Sequence, residues 1–380
     1  MSHPITTHLI LVSAQPIPNL TPIFDDTLRP KKVIMLVSAN MLERSHALEN
    51  IFKPRGISVE RCLIKDPWDA DGIREQVEDL LLTQYPEGGI ALNATGGTKL
   101  MSIAAYQAFS SCQLPVFYVH PEHDRLIWLS PKLPDVDLSD RLKLEDYLTA
   151  YGSPVDTLDR TGVKEPLRQL TQQLLTDYDR YAGELGTLNY LALKADNPQL
   201  TTEIEAGPQS KPKLWELLDL FAAAGLCNIK GHNLSFVDEN ARFTTNGGWL
   251  EMHTYAVCLN LKKIVGIQDV ACNINLKRQA AVRAVVKNEI DIGLIKANRL
   301  HLIECKTQRF KEDKDANVLY KLDSIRDLMG GLQGRTLLVS FNHLDKSSRA
   351  RAKELNIELC CGTELKNLQQ HLQRWLTNER

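Results

Sequence analysis

The chain has no apolar run long enough to span a bilayer and no basic-then-apolar leader, since Met1 to Ile10 hold Thr and His instead. The first absence leaves no candidate membrane-spanning helix, and the second makes the cytoplasm the expected compartment. Clamp-forming cysteine pairs are missing as well. Of eight cysteines the close pair, Cys360 and Cys361, is adjacent, which serves neither a zinc-binding CxxC nor a disulfide framework, so most read as small buried hydrophobes. Charge of one sign is lacking: 45 Lys and Arg against 47 Asp and Glu leave a net charge of -2, so contact with a polyanion must rely on local basic patches. There is no internal repeat and no low-complexity tract. Aromatic residues are sparse around Asp291, which leaves base stacking without a signal.

What is present is an ordinary globular composition, 43% hydrophobic and 24% charged, over 380 residues, a length that favours two domains and a connecting segment. Strands expected at 9–12, 33–37, 57–64, 90–93, 116–119 and 126–129 alternate with helices at 42–52, 71–82 and 99–111. That alternation predicts a doubly wound α/β unit over residues 1–135. Between Pro131 and Pro166, punctuation by Pro, Asp, Ser and Gly reads as a boundary. Residues 136–240 are expected to form a helical connector, winged-helix-like because the amphipathic helix 214–224 precedes a hairpin turning at Gly231-His232-Asn233. Residues 241–380 open with Gly247-Gly248 and a helix carrying Glu251, and read as a compact α/β domain.

In that last part, two apolar runs, Asn288 to Ile295 and Leu300 to Lys306, flank a polar turn and predict a hairpin. Folded symmetrically about Ala297 and Asn298, it sets Asp291 opposite Glu304, Gly293 opposite Leu302 and Ile295 opposite Leu300, and opposed residues share a face. Alternation puts Lys306 on the face of Glu304. Opposed carboxylates repel, and Mg²⁺ or Mn²⁺ removes the repulsion, with Asp291, Glu304 and the Cys305 carbonyl as candidate ligands and Glu251 as an outer ligand or acceptor. Such a metal lowers the pKa of a bound water and polarises a phosphodiester, while Lys306 orients that water. The blander reading, a surface pair between Glu304 and Lys306, leaves Asp291 unexplained. Lys277, Arg278, Arg283, Lys287, Arg309, Lys311 and Lys314 are candidates to line a groove for phosphates.

A second motif, Leu92-Asn93-Ala94-Thr95-Gly96-Gly97-Thr98-Lys99, joins a strand to a helix. Its glycines allow close backbone approach and the first amides of the helix favour an anion. The spacing GxxxxGK[ST] is missing, so P-loop hydrolysis is not implied. The first strand also ends in a polar loop, Ser13-Ala14-Gln15-Pro16-Ile17-Pro18-Asn19, at the same carboxyl edge of the sheet where ligands of such folds bind.

These two loops resemble the CARF domain, the Rossmann-like sensor of cyclic oligoadenylates in type III CRISPR defence. Asp291, twelve residues, then Glu304-Cys305-Lys306 resembles the PD-(D/E)xK nuclease superfamily, departing from its name in having Ile290 before Asp291. Sensor first and nuclease last resembles the CRISPR ancillary nucleases that join the two. The resemblance implies a homodimer whose paired sensors bind one cyclic adenylate, usually the tetramer, facing Ser13, Gln15, Asn19, Thr95, Gly96, Gly97, Thr98 and Lys99. It also implies cutting by Asp291, Glu304 and Lys306 of single-stranded DNA or RNA, with duplex DNA left open. Two other readings stand beside it: a ligand-independent restriction or repair nuclease, active in metal alone, and a nonenzymatic DNA-binding regulator, against which the acidic trio argues.

Overall fold

The computed structural model describes residues 4–378 apart from 121, 210, 280–284 and 309–311. Among them the strands form three sheets. The first begins with β1 (Thr7–Leu11), α1 (Ile17–Phe24), β2 (Lys32–Ser38), α2 (Leu42–Phe52), β3 (Ser58–Ile64) and α3 (Ala70–Gln84). It continues with β4 (Ile90–Asn93), α4 (Lys99–Ser111), β5 (Val116–His120), β6 (Arg125–Ser130) and β7 (Val136–Asp137). Its order is β3-β2-β1-β4-β5-β6-β7, parallel through β5 and antiparallel beyond. Layers cover β1 and β2 on both faces, which is why they read as unbroken apolar runs rather than alternating ones. The strand order reverses between β1 and β4, and there the polar loops after these two strands meet.

The segment expected to be a plain boundary does more. Helix α5 (Leu144–Ala150) is buried, and β8 (Val155–Asp159) pairs with a strand more than a hundred residues later. Punctuation by Pro and Asp hid both, because the helix is short and its burial comes from distant residues.

Next come α6 (Glu165–Thr176), α7 (Tyr178–Lys194), β9 (Thr201–Glu203), α8 (Ala206–Gln209), α9 (Pro212–Ala223), β10 (Cys227–Lys230) and β11 (Asn233–Phe236). The expected hairpin is there, Lys230 pairing with Asn233 across Gly231-His232, and Gly231 at φ +61° supplies the tight turn. A third strand joins it in the order β10-β11-β9.

The last part has α10 (Glu239–Phe243), α11 (Trp249–Leu261), β12 (Ile267–Gln279), β13 (Val285–Lys296), β14 (Arg299–Lys306), α12 (Glu312–Ile325), β15 (Arg335–Ser340), α13 (Lys346–Glu354), β16 (Ile357–Cys361) and α14 (Leu368–Thr377). The third sheet runs β16-β15-β14-β13-β12-β8. One face packs on α6, α7, α9, α11 and α14, with Trp249 and Tyr255 wholly buried. On the other face Ile274, Leu276, Leu300 and Leu302 share a core with Ile10, Val12, Met35 and Val37 of the first sheet, and α5 lies between through Leu144, Tyr147 and Leu148. Arg160 ties this wedge down, donating to both oxygens of Glu145 at 2.7 and 2.6 Å and to both of Asp269 at 3.0 and 2.7 Å.

Leu144 shows how close the layers come, because a Cβ placed on Gly293 would lie 3.2 Å from its Cδ2. Leu144→Ala removes a fully buried side chain from between the two sheets and should lower stability by about 2–5 kcal/mol, read as a shift of the urea midpoint. A midpoint within error of the wild type would mean that the two sheets do not depend on α5.

Candidate active site and ligand cleft

The hairpin of β13 and β14 folds in the expected register, with Lys296 opposite Arg299, Ile295 opposite Leu300, Gly293 opposite Leu302 and Ile292 opposite Ile303. Ala297 and Asn298 both have positive φ, +48° and +52°, the conformation of a two-residue turn that matches strand twist. At Asp291 the ladder changes. The pairing of β13 with β14 stops at Ile292, and the pairing with β12 skips Asp291 and Asn273, the latter in a left-handed conformation at φ +49°. Ile290 accordingly joins the same core as Ile295, while Ile292 and Leu294 face the other core. A local irregularity of this kind re-aims a side chain. The Asp291 carboxylate does not simply oppose Glu304; its Oδ2 accepts the Cys305 amide at 2.7 Å.

Around it, Lys306 Nζ lies 2.8 Å from Glu304 Oε1 and 3.9 Å from Asp291 Oδ2. Asp291 is 7% exposed and Glu304 2%. Glu251, in the first turn of α11, is half-buried and within electrostatic reach of both. Gly247 lets that helix start against the end of β14, since at φ +113° a Cβ would lie 1.9 Å from Thr307 Oγ1. Burial first, then the charge of Glu304, push the Asp291 carboxyl above the usual carboxylate range; burial and the charge of Asp291 do the same to Glu251. Burial would pull Lys306 down, but Asp291 and Glu304 outweigh it and hold the ammonium above the usual lysine range.

Asp291 and Glu304, bridged by Lys306, and Glu251 within electrostatic reach offer the hard oxygen donors a divalent cation prefers, and such a cation would relieve their repulsion and the cost of desolvation. The Cys305 amide is hydrogen-bonded within the site, to Asp291 Oδ2. The sequence reading missed Lys321, which reaches Glu304 from α12 at 3.1 Å; helical spacing carries no sign of such a contact. Of the candidate groove residues, Lys277 is described and pairs with Asp156 at 2.5 Å. Arg283, Arg309 and Lys311, and the side chains of Arg278, Lys287 and Lys314, lie outside the described residues. Elsewhere among the described residues, His120, Glu122 and His123 have donor atoms within 4.8 Å of one another. This group stands on the β5–β6 turn with two members exposed, and His120 Nδ1 already accepts the Glu122 amide at 3.2 Å.

At the carboxyl edge of the first sheet, Ser13, Gln15 and Thr95 line a cleft of about 1430 Å³ that also takes in Tyr118, Tyr151, Asn298, Arg299 and Gly331. Asn19 is placed differently from expectation. The loop turns helical at Ile17, and Asn19 becomes 1% exposed, donating to Leu11 O at 2.9 Å and accepting from Asn93 Nδ2 at 3.2 Å, so it braces β1 against β4. Gly96 sits against the end of β1, where a Cβ would lie 2.0 Å from Leu11 O. Thr98 caps α4 by accepting the Met101 amide at 3.1 Å, and Lys99 beside it is exposed. Gly96, Gly97, Thr98 and Lys99 stand outside this cleft, Gly97 at φ +74° making the turn. The Thr95 hydroxyl donates to Asn93 Oδ1 at 2.6 Å and accepts from Val119 N at 2.8 Å.

Fold and site together define a sensor-linked nuclease: a nucleotide-binding type of α/β sheet joined to a sheet with clustered carboxylates. Residues 7–147 match the Card1 CARF domain and residues 238–379 the Card1-like endonuclease domain. The crystal structure of protein VC1899 from Vibrio cholerae is 31% identical over 97% of both chains, with a TM-score of 0.87. Can2 from Sulfobacillus thermosulfidooxidans, solved in complex with cyclic tetra-adenylate, is 25% identical over 98% of this chain and 99% of its own, with a TM-score of 0.83. A type III CRISPR defence DNA nuclease activated by cyclic oligoadenylate shares the fold at 18% identity and a TM-score of 0.57, over 89% of this chain and 46% of its own. No curated protein sequence matches. The chain belongs to the Card1-like family of CARF-domain endonucleases. Among the described residues no helix is long and apolar enough to cross a membrane.

A carboxyl raised in the fold holds its proton more tightly folded than unfolded, so it costs stability as pH rises above the ordinary carboxylate range. In EDTA, Asp291→Asn should therefore melt a few degrees above the wild type near about pH 8, the gap closing towards about pH 4. Added Mn²⁺ should raise the melting temperature of the wild type and leave the variant where it was. A variant melting below the wild type at the higher pH would show that the carboxylate is not held under electrostatic cost.

Proposed function

We propose that this endonuclease is switched on by cyclic tetra-adenylate and hydrolyses phosphodiester bonds of DNA or RNA in type III CRISPR antiviral defence in the cytoplasm. The observation that carries the catalytic half is the meeting of Asp291, Glu304 and Lys306 at one buried place, with Glu251 in reach. Asp291, Glu304 and Glu251 would hold Mg²⁺ or Mn²⁺, which when bound supplies a Lewis acid for the phosphodiester and acidifies a water. Lys306 orients that water and offsets the charge developing on the phosphate. The Cys305 amide fixes the direction of the Asp291 carboxylate, and because both acids are buried each of these interactions is stronger than it would be in water.

The sensor half rests on family membership and on the loops around Ser13, Gln15 and Thr95, together with the amino end of α4 at Thr98 and Lys99. Can2 was solved with cyclic tetra-adenylate, which is the reason for preferring that ring. A ring of repeated phosphates suits a pocket repeated across a two-fold axis, so we assign a homodimer. We assign the sensor to residues 1–135, the connector to 136–240 and the nuclease to 241–380, the connector lending β7 to the first sheet and β8 to the third. The cleft itself links the halves, because Gln15 of the sensor loop and Asn298 of the catalytic hairpin line it together. A ligand that favours one arrangement of that cleft shifts the hairpin with it.

Glu304→Ala and Lys306→Ala should each lower cutting of labelled DNA and RNA in Mn²⁺ and cyclic tetra-adenylate by about a hundredfold or more, with adenylate binding unchanged. The parent protein should cut little without the ring. Cutting that ignores the ring would select a ligand-independent nuclease, and full activity of the Glu304→Ala protein would remove these residues from the mechanism.

A further inference from the structure

Lys321 enters the site from α12. Its ammonium spans the Glu304 carboxylate, 3.1 Å from Oε1 and 3.3 Å from Oε2, while Lys306 lies 2.8 Å from Oε1. Glu304 is 2% exposed, yet the Lys321 side chain stays 42% exposed. Its neighbours Leu319 and Leu322 are buried against Leu338 and anchor the helix, so Lys321 is not needed to hold α12 on the sheet. Lys306 pairs with Glu304 as well, at 2.8 Å, so this buried carboxylate has two cationic partners.

The charges give it another task. Ionised, Glu251, Asp291 and Glu304 exceed Lys306 and Lys321 by one negative charge; a divalent cation reverses the sign, and a phosphodiester then restores neutrality. The two Glu304 oxygens that Lys321 covers are those a hard cation would seek. A lysine head is a compact charge on a flexible stem and can swing away without moving its helix. Resting on the nuclease reading above, we propose that Lys321 is a further phosphate-binding residue: it gives up Glu304 to the divalent ion and takes a non-bridging oxygen of the substrate phosphodiester.

This assignment makes two readouts move in opposite directions. Replacing Lys321 with Met removes a cation that competes for Glu304 and a cation that holds phosphate. The full-length Lys321→Met protein should therefore bind Mn²⁺ about threefold or more tighter by calorimetry. It should bind a labelled single-stranded oligonucleotide, DNA or RNA, about tenfold more weakly by anisotropy in Ca²⁺. Lys321→Arg should restore oligonucleotide binding, since the charge at that position is kept. A lysine that only props up Glu304 would weaken Mn²⁺ binding when lost, and that result, or unchanged oligonucleotide affinity, overturns the proposal. Both measurements are made without turnover. Failure of the parent protein to cut in Mn²⁺ and cyclic tetra-adenylate would count against the nuclease reading instead.

Discussion

The grip on the side chain of Asn298 is the contact on which the two halves of this protein depend. Asn298 is buried in the turn between β13 and β14; its oxygen accepts from Leu142 N at 3.2 Å and Gln268 Nε2 at 2.7 Å, and its nitrogen donates to Ser139 O at 3.2 Å and to Asp124. Donors and acceptors of the carboxamide are thus used by the sensor side and by the nuclease sheet together. A buried amide so fully engaged is costly to disturb, because any displacement leaves several polar groups unsatisfied at once. Asp124 belongs to the β5–β6 turn of the first sheet, and burial pushes its carboxyl up to about 6. The turn that closes the catalytic hairpin is therefore fixed to the sensor, and the carboxylates at the far end of that hairpin inherit its position.

A second path joins the same places through α5. Tyr151 donates to Gln15 Oε1 at 3.0 Å, its ring stacks on Tyr147 at 5.3 Å, and Tyr147 donates to Gly330 O at 3.1 Å. Gly331, just beyond α12, comes so near that a Cβ would lie 2.3 Å from both Gln15 Oε1 and the Tyr151 hydroxyl. Close-packed layers of this kind move as units rather than bending. A change at the Gln15 loop thus meets rigid neighbours on the side of β13 and β14 and on the side of α12, the elements that carry Asp291, Glu304 and Lys321.

Much of this was legible in the residues. Apart from α1 and β7, the strands and helices of the first sheet follow the periodicity closely because they are locally patterned and mostly bounded by Gly or Pro. The hairpin register followed from the two-residue turn and from alternation, so Asp291, Glu304 and Lys306 could be placed together beforehand. Other features were not local. Asn19 reads as a loop polar residue, but Pro16 and Pro18 open a helix instead of breaking one, and its amide was consumed by Leu11 and Asn93. The role of Lys321 depends on how α12 lies across the sheet, and nothing within α12 encodes that.

By itself the sequence determined most of the strands and helices, the register of the catalytic hairpin, and the chemistry available at its end. Those are consequences of side-chain period, turn geometry and functional groups within a few residues of one another. Only the tertiary structure decided that α5 and β8 would leave the boundary to join the sheets, that Asp291 would sit at a break in its ladders with the Cys305 amide on its carboxylate, and that sensor and nuclease would share one cleft. Each of these joins residues far apart in the chain, and their meeting is fixed by which apolar faces must be buried against one another rather than by any pattern along the chain.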